Sequence, residues 1–271
     1  MISFPNAKIN IGLNVVEKRP DGYHNIETIF FPTDLKDALE VIEMPNIEGN
    51  YEWINTGIVI DTPPEKNICI KAFELIKSKF PTLPKVRIHL HKTIPFGAGM
   101  GGGSADGAFI LKMLNDLFIL NLTNSELKLM AVKLGADCPF FIDNTPSYAT
   151  GIGEILTPLK LILEGYHLVI VKPNIHVSTI DAFKNILPLK PIKNLQELIN
   201  QPIEKWKNTI VNDFEKTVFR IHPQIEKIKS DLYSRGAIYA SMSGSGSAVF
   251  GIFEKSTQIE FPNCFIWTQK L

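Results

Sequence analysis

The sequence has few cysteines and few arginines. Its three cysteines, Cys69, Cys138 and Cys264, are far apart and odd in number, so they fit neither a disulfide framework nor the spacing of zinc ligands. We therefore expect reduced thiols in a cytoplasmic protein. Only four residues are arginine, which argues against phosphate binding by an arginine cluster. Any phosphate would depend on backbone N–H groups and lysine instead.

The chain also lacks an excess of charge of either sign and any long apolar run. Lys and Arg together number 28, as do Asp and Glu, so no basic surface for nucleic acid or an anionic membrane is indicated. No stretch approaches the roughly 20 apolar residues of a membrane-spanning helix. The first eight residues do not have the layout of a signal peptide. We expect neither a nucleic-acid nor a membrane partner.

Glycine, by contrast, is concentrated in one segment. The run from Pro95 to Asp106, here called the glycine segment, has five glycines in twelve residues. It follows a β-type stretch at 86–91 and leads into a helical pattern at 104–118. Glycine permits φ above zero and a close approach of backbone to ligand, and a helix start adds unpaired N–H groups and a favourable dipole. This order predicts a phosphate-binding loop.

Other glycine-rich patterns fit less well. Gly97-x-Gly99-x-x-Gly102 matches the dinucleotide fingerprint formally, but a helical pattern follows at 124–133, where a Rossmann unit needs a strand. A Walker A loop is excluded because no Gly-Lys-Ser/Thr follows the glycines. The chain has no His-Arg-Asp and no Asp-Phe-Gly of a protein kinase. A tight turn without a ligand stays open, although five glycines cost backbone entropy.

Apolar periodicity divides the remaining chain into short elements. Two strands joined by an Arg-Pro-Asp-Gly turn form a predicted hairpin, and further strands and helices alternate irregularly. The predicted strands cover 7–16, 23–31, 38–43, 57–60, 86–91, 166–172, 237–242, 247–253 and 264–268. The predicted helices cover 67–80, 104–118, 124–133, 178–185 (with Ser178 or Thr179 as N-cap), 194–200 and 221–233. This mixed order predicts two α+β domains, residues 1–145 and 146–271.

Polar residues inside apolar stretches are the candidates for chemistry. Lys8 and Asn10 are two apart on a strand and face the same side; the alternative is an ordinary solvated strand face. Asp137 lies among Ala, Cys, Pro and Phe, where burial without a partner is costly. A nearby lysine would keep it ionised; the alternative is an N-cap of a short segment starting at Pro139.

Three further patterns are ambiguous by themselves. His89 and His91 share a strand face, but no third metal ligand is evident. Tyr23 and His24 follow the Asp-Gly turn and form a possible recognition pair. The serine- and glycine-rich stretch at 243–247 is either a second ligand loop or a hairpin connection.

Taken together, the segments resemble the GHMP small-molecule kinases over nearly the whole chain. The matching segments are Pro5–Asn10, Arg19–His24, Pro95–Ala105, Leu134–Phe141, Gly151–Glu154, Val177–Phe183 and Ser241–Ser247. The Asp-Gly-Tyr-His and Gly-Ala-Asp stretches are the specific ones. They resemble the branch that phosphorylates the 2-hydroxyl of a cytidine-diphosphate-linked methylerythritol in the non-mevalonate isoprenoid pathway.

The resemblance implies an α+β, two-domain GHMP kinase fold, with a ribosomal-S5-like N-terminal domain and a ferredoxin-like C-terminal domain. It implies ATP as phosphoryl donor, Mg²⁺, a small-molecule substrate, and a monomer or weak homodimer. Lys8 and Asp137 match the catalytic pair. The ATP-binding positions are Asn67, Ile68, Lys92, Pro95, Phe96, Gly97, Ala98, Gly99, Met100, Gly101, Gly102, Gly103, Ser104 and Ala105. The substrate positions are Asn10, Tyr23, His24, Thr179 and Phe183, and Ser104 is a possible Mg²⁺ contact.

The chain departs from the family at its C-terminus, because residues 254–263 are too few for the helix usually found there. An edge of the second domain is therefore open to question. Other readings are a GHMP kinase for mevalonate, homoserine or a sugar, and a nucleotide-binding protein without catalysis. The presence of both Lys8 and Asp137 argues against the second.

Overall fold

The computed structural model describes residues 1–184 and 186–271, which group into two compact units. The first unit holds Met1–Ala7, Thr33–Phe96 and Gly101–Thr145, and the second holds Lys8–Pro32, Gly97–Met100 and Pro146–Leu271. The chain therefore changes unit twice within the glycine segment. The domain boundary after residue 145 stays a prediction.

The first unit contains one four-stranded sheet with four helices. Its sheet order is β1-β4-β6-β5, for β1 (Ile2–Ser3), β4 (Ala38–Glu43), β6 (Val86–Lys92) and β5 (Tyr51–Gly57), and the β5–β6 pair is parallel. The helices are α1 (Ile68–Lys79), α2 (Gly102–Leu117), α3 (Asn124–Val132) and α4 (Phe140–Asp143), with a 3₁₀ turn at Pro64–Lys66.

Buried and more exposed side chains alternate along β6, and the buried ones form part of the core of this unit. Val86, Ile88 and Leu90 are fully buried, and the two-residue period of a strand places Lys92 on the same inward face. The apolar sheet face and the helices thus enclose one lysine.

The second unit contains two four-stranded sheets. One has the order β2-β3-β7-β8, for β2 (Asn6–Lys18), β3 (His24–Lys36), β7 (Ser147–Thr150) and β8 (Ile155–Pro158). Residues 6–7 of β2 and 33–36 of β3 are assigned to the first unit. The other sheet has the order β10-β11-β9-β12, for β10 (Tyr239–Met242), β11 (Val249–Phe253), β9 (His167–Pro173) and β12 (Cys264–Lys270). The helices are α5 (Thr179–Phe183), α6 (Leu195–Leu198), α7 (Ile203–Thr209), α8 (Phe214–Ile221) and α9 (Pro223–Ser234). Among the helices that the structure describes, none combines the length and apolar content needed to cross a bilayer.

The shortened C-terminus keeps its strand. The succession β9, helices, β10, β11 follows the start of a ferredoxin-like β-α-β-β-α-β order. Residues 254–263, all of them described, contain no helix. Even so, β12 pairs antiparallel with β9 along its whole length, from Cys264 opposite Pro173 to Lys270 opposite His167. The C-terminal sheet therefore has its edge strand, β12, although the preceding segment contains no helix.

Most predicted elements are confirmed within a few residues, and one strand is wrong. The strand expected at 57–60 is not formed, because the observed strand β5 covers Tyr51–Gly57 and shares only Gly57 with the predicted range. Gly57 has φ +75° and lies so close to Lys92 O that a Cβ would come within 2.3 Å of it, so the chain turns out of the sheet there. The short elements β1, β7, β8, α7 and α8 were not predicted. The helix expected at 178–185 begins after Ser178, and its last residue, Asn185, lies outside the described residues.

Candidate active site

The glycine segment ends in a helix start without a side-chain cap. Gly101 is the N-cap of α2 in the left-handed region, with φ 69°, and α2 begins at Gly102, two residues earlier than predicted. The first N–H groups of a helix have no intrahelical partners, and the helix dipole places partial positive charge there. This end of a 16-residue helix is thus suited to bind an anion.

Before it reaches α2, the segment packs against the loop between β10 and β11. The backbone N–H groups of Ser247 and Ala248 donate to the carbonyls of Gly97 and Ala98 at 3.3 and 3.2 Å. A Cβ on Gly99 would lie 1.8 Å from Ser243 O. The stretch at 243–247 therefore is a hairpin connection that also supports the second-unit part of the glycine segment.

Asn212 stabilises that connection through hydrogen bonds, a role that was not predicted from the sequence. Its buried amide donates to the carbonyls of Met242 and Gly244 at 2.8 and 2.9 Å, and its Oδ1 accepts from Phe214 N. A lone asparagine outside any recognised motif gave no signal of this role.

Lys8 is buried, so the solvated-face alternative is wrong. The side chain is aimed across β2, where its Nζ donates to Asn10 Oδ1 at 2.5 Å and to Gly99 O at 3.0 Å. The ammonium also lies 4.9 Å from the centre of the Phe30 ring. Lys8 and Asn10 thus face one side, as expected, and Lys8 is joined to the glycine segment.

Asn10 is fixed by a chain of hydrogen bonds. Its Nδ2 donates to Thr28 Oγ1 at 2.9 Å, and that hydroxyl donates to Gly12 O at 2.6 Å. Its backbone N–H donates to Ser243 Oγ at 3.2 Å. The Asn10 side-chain oxygen is therefore held toward the Lys8 ammonium.

The predicted recognition residues of the second unit form a partly exposed aromatic group. The His24 and Phe183 rings are stacked with centroids 4.8 Å apart, and Phe214 meets Phe183 edge-on at 4.7 Å. Tyr23 is 61% exposed beside them in sequence, so it is not a core residue. Thr179 Oγ1 lies 3.2 Å from Ser245 Oγ. Burial, with a contribution from Lys18, lowers the pKa of His24, which favours a neutral ring at pH 7.

Asp137 lies in the first unit, on the loop between α3 and α4. It is half-buried, and the N-cap of α4 is Pro139, so the capping alternative is wrong. The next residue, Cys138, is fully buried, and its thiol lies beside the Ser104 side chain. Burial raises the pKa of Cys138 to about 12. This contact joins the loop that carries Asp137 to the first turn of α2.

Asn67 and Ile68 are at the start of α1. Asn67 is the N-cap of that helix, and its Oδ1 accepts from Cys69 N at 2.8 Å. Ile68 lies against α2, where a Cβ on Gly107 would come within 2.8 Å of it. Both residues thus have structural roles inside the first unit: Asn67 caps α1, and Ile68 packs against α2.

Lys92 is paired with two buried carboxylates. Its Nζ lies 2.5 Å from Asp37 Oδ2 and 2.7 Å from Asp106 Oδ2, and all three side chains are at most 3% exposed. Burial raises the pKa of Asp106 to about 8, against the opposing effect of Lys92. Burial alone would lower the pKa of Lys92, but the two carboxylates together raise it. The pairing of Lys92 with Asp37 and Asp106 was not predicted, because Asp37 is 55 positions from Lys92 in the chain.

The histidine pair has another partner. Thr56 Oγ1 lies 2.9 Å from His89 Nε2 and 3.0 Å from His91 Nδ1. No group of three or more metal-binding side chains occurs in the described residues. The metal interpretation of this pair therefore has no support.

Comparison with known proteins gives the family. The model "GHMP kinases N terminal domain" matches residues 67–145, and "GHMP kinases C terminal" matches residues 184–262. A 4-diphosphocytidyl-2-C-methyl-D-erythritol kinase of Bacteroides fragilis is 53% identical over 274 residues, and one of Parabacteroides distasonis is 52% identical over 275 residues, each covering 100% of both chains. The chain belongs to the 4-diphosphocytidyl-2-C-methyl-D-erythritol kinase family of GHMP kinases.

A solved structure supports the same assignment. The crystal structure of a 4-(cytidine 5'-diphospho)-2C-methyl-D-erythritol kinase has a TM-score of 0.79 and 31% identity, and the match covers 93% of this chain and 90% of that one. The expected two-domain GHMP kinase fold and the expectation of a small-molecule kinase are confirmed. The Rossmann alternative is excluded, because α3 follows α2 where a strand is required.

Proposed function

We propose that the chain transfers the γ-phosphoryl group of ATP to the 2-hydroxyl of 4-diphosphocytidyl-2-C-methyl-D-erythritol, in the non-mevalonate isoprenoid pathway. The observation that carries this proposal is identity above 50% over the full length to relatives named for that kinase. The intact set of chemical candidates, including Lys8, Asp137 and the glycine segment, supports it. A cytoplasmic location stays a prediction.

The triphosphate is proposed to bind at the glycine segment. Residues 97–101 carry glycines with positive φ at alternate positions, and the uncapped start of α2 offers N–H groups and a positive dipole end. With four arginines in the whole chain, the backbone supplies most donors. Asn67 and Ile68 are proposed to contact the nucleotide. The side chain of Lys92, which was expected there too, is instead buried in the core of the first unit.

Phosphoryl transfer leaves little covalent work to the protein, so positioning and charge dominate. We assign to Asp137 the acceptance of the proton from the substrate hydroxyl, for which a half-buried carboxylate is suited. The Lys8 ammonium, held in place by Asn10 and Gly99 O, is assigned to offset the charge that develops on the transferred group.

Mg²⁺ would be coordinated mainly by the phosphates of ATP. It binds through one or two protein oxygens plus substrate phosphates rather than in an all-protein cage, which fits described residues that hold no cluster of three or more acidic or histidine ligands. Ser104, in the first turn of α2, is the proposed protein ligand. Bound there, the ion would neutralise part of the phosphate charge.

The cytidine end of the acceptor is proposed to bind at the aromatic group of the second unit. A pyrimidine stacks on aromatic rings, and a neutral His24 can both donate and accept hydrogen bonds at its edge. Tyr23 is exposed and available, and Thr179 and Phe183 lie on α5.

A coupled assay of ADP release with an acceptor panel tests the proposal. We expect turnover with the cytidylyl compound, and little with free methylerythritol, mevalonate or homoserine. Efficient turnover of mevalonate or homoserine would assign the chain to another acceptor. Tight ATP binding without turnover of any acceptor would instead indicate a nucleotide-binding protein without catalysis.

A further inference from the structure

The glycine segment leaves β6 and enters α2, and the buried group formed by Asp37, Lys92 and Asp106 touches both of these flanks. On the entry side, Asp37 Oδ1 accepts the backbone N–H groups of Thr93 and Ile94 at 2.5 and 2.8 Å. These two residues directly precede Pro95. The backbone that leads into the segment is therefore held by one carboxylate.

On the exit side, Asp106 lies one turn into α2 and its Oδ2 accepts from Lys92 Nζ at 2.7 Å. Lys92 also donates to Asp37 Oδ2 at 2.5 Å. Its ammonium lies 3.1 Å from the place where a Cβ on Gly102 would stand. The lysine therefore bridges both carboxylates directly beneath the first residue of the helix.

We infer that Asp37, Lys92 and Asp106 form a positioning bridge, which sets the distance between the two ends of the glycine segment. Lys92 then supports nucleotide binding indirectly, because it positions the backbone of the segment and does not contact ATP. The inference rests on the proposed function for its nucleotide. The side chain of Lys92 is 1% exposed and its donors face two carboxylates. It has little surface to offer a ligand, but it can keep the backbone donors of the helix start in place.

A bridge of this kind is distinguishable from a stabilising ion pair. Removal of the lysine alone leaves the buried side chains of Asp37 and Asp106 without their cation, which is strongly destabilising whether or not the group positions the segment. The double variant Lys92→Met, Asp106→Leu also removes the second carboxylate, while Asp37 keeps its two backbone N–H partners. It therefore restores stability without restoring the bridge.

The test compares Lys92→Met, the double variant and a control, Ile88→Ala, whose fully buried side chain lies on the same strand away from the segment. Amide hydrogen exchange without nucleotide is measured at residues 93–104, together with Tm and the Kd for ATP from calorimetry. We expect both bridge variants to exchange faster at 93–104 and to bind ATP about tenfold or more weakly, because small misplacements of binding groups are costly. The control should lower Tm without this local effect.

Recovery of ATP affinity together with Tm in the double variant would overturn the inference, and so would normal exchange at 93–104 in both bridge variants. If the wild-type chain binds ATP but does not phosphorylate the cytidylyl acceptor, the proposed substrate fails while the bridge stands. If it does not bind ATP, the proposed function fails and hydrogen exchange alone decides the bridge.

Discussion

The imidazole of His24 lies nearly parallel to the phenyl ring of Phe183, with 4.8 Å between ring centroids and 19° between planes. Phe183 is in turn supported edge-on by Phe214 in the core of the second unit. A ring on β3 and a ring on α5 thus form one stacked surface, and the exposed Tyr23 precedes it in the chain.

This surface predicts a specific effect on the acceptor. Tyr23→Ala should raise KM for the cytidylyl acceptor and leave KM for ATP nearly unchanged, since an aromatic contact is worth about 0.5–1.5 kcal/mol beyond area burial. Tyr23→Phe, which keeps the ring, is the matched control and should behave almost like the wild type. Initial rates measured against each substrate decide the matter. An equal rise in both KM values would remove Tyr23 from acceptor recognition.

Catalysis should depend on Asp137 and Lys8. Asp137→Asn removes the basic oxygen but keeps the size of the side chain, so we expect kcat to fall roughly 10²- to 10⁴-fold with ATP binding retained. Lys8→Met should also be severely damaging. If both serve the same step, the double variant should lose far less than the product of the two effects. Single-turnover rates would show it, and multiplying losses would mean that the residues act independently.

Gly103 offers a clean test of the phosphate site. A Cβ there meets no atom within 4 Å, whereas one on Gly102 would come within 2.8 Å of Ile94. Gly103→Ala should therefore leave Tm unchanged or raise it, because alanine favours the helix by about 1 kcal/mol. If the phosphates lie there, its Kd for ATP should rise strongly. Ser125→Ala, on the exposed first turn of α3, is the control, and unchanged ATP affinity in Gly103→Ala would place the phosphates elsewhere.

Asn67 combines a cap with a predicted nucleotide contact. Asn67→Ala should cost about 1 kcal/mol of unfolding free energy through the lost hydrogen bond to Cys69 N. Asn67→Ser keeps a capping oxygen and should retain most of that stability. A nucleotide role for the amide then appears as a raised KM for ATP in the serine variant. Normal ATP kinetics in Asn67→Ser would limit this residue to capping.

The buried Asp106 predicts how stability changes with pH. Burial raises its pKa from 3.8 in the unfolded chain to about 8 in the folded one. Protonated Asp106 therefore favours the folded state below pH 4, and this contribution is lost as the pH rises toward 8. The side chain in Asp106→Asn cannot ionise. The unfolding free energy of the variant should therefore increase relative to that of the wild type as the pH rises from 4 to 8. Urea unfolding at several pH values tests this, and parallel curves would contradict it.

The residues differ in how far the sequence could reveal them. The alternating apolar residues of β2 and the glycine-to-helix transition are local signals, and both elements are where the periodicity places them. Lys8 was identifiable because its charge lies within that apolar alternation. Asp37, by contrast, is 55 positions from Lys92, and a pairing across that separation leaves no periodic trace.

The missed short elements have a similar explanation. β7 and β8 have four residues each, too few to establish a period, and they exist because they pair with each other and with β3. The Asn212 side chain likewise acquires its role when β10 and β11 bring Met242 and Gly244 together. Such roles arise from tertiary contacts and not from local propensity.

Gly99 and Gly246 meet with no space for one additional carbon atom on either residue. A Cβ on Gly246 would lie 2.0 Å from Gly99 N, and one on Gly99 would lie 2.8 Å from Gly246 N. Neither position can be compensated by changing the other, because the obstacle in each case is backbone. For directed evolution toward new acceptors, a library that randomises either glycine would consist largely of misfolded chains. Diversity is better placed at exposed positions such as Tyr23 and Thr179, where a new side chain meets solvent instead of main chain.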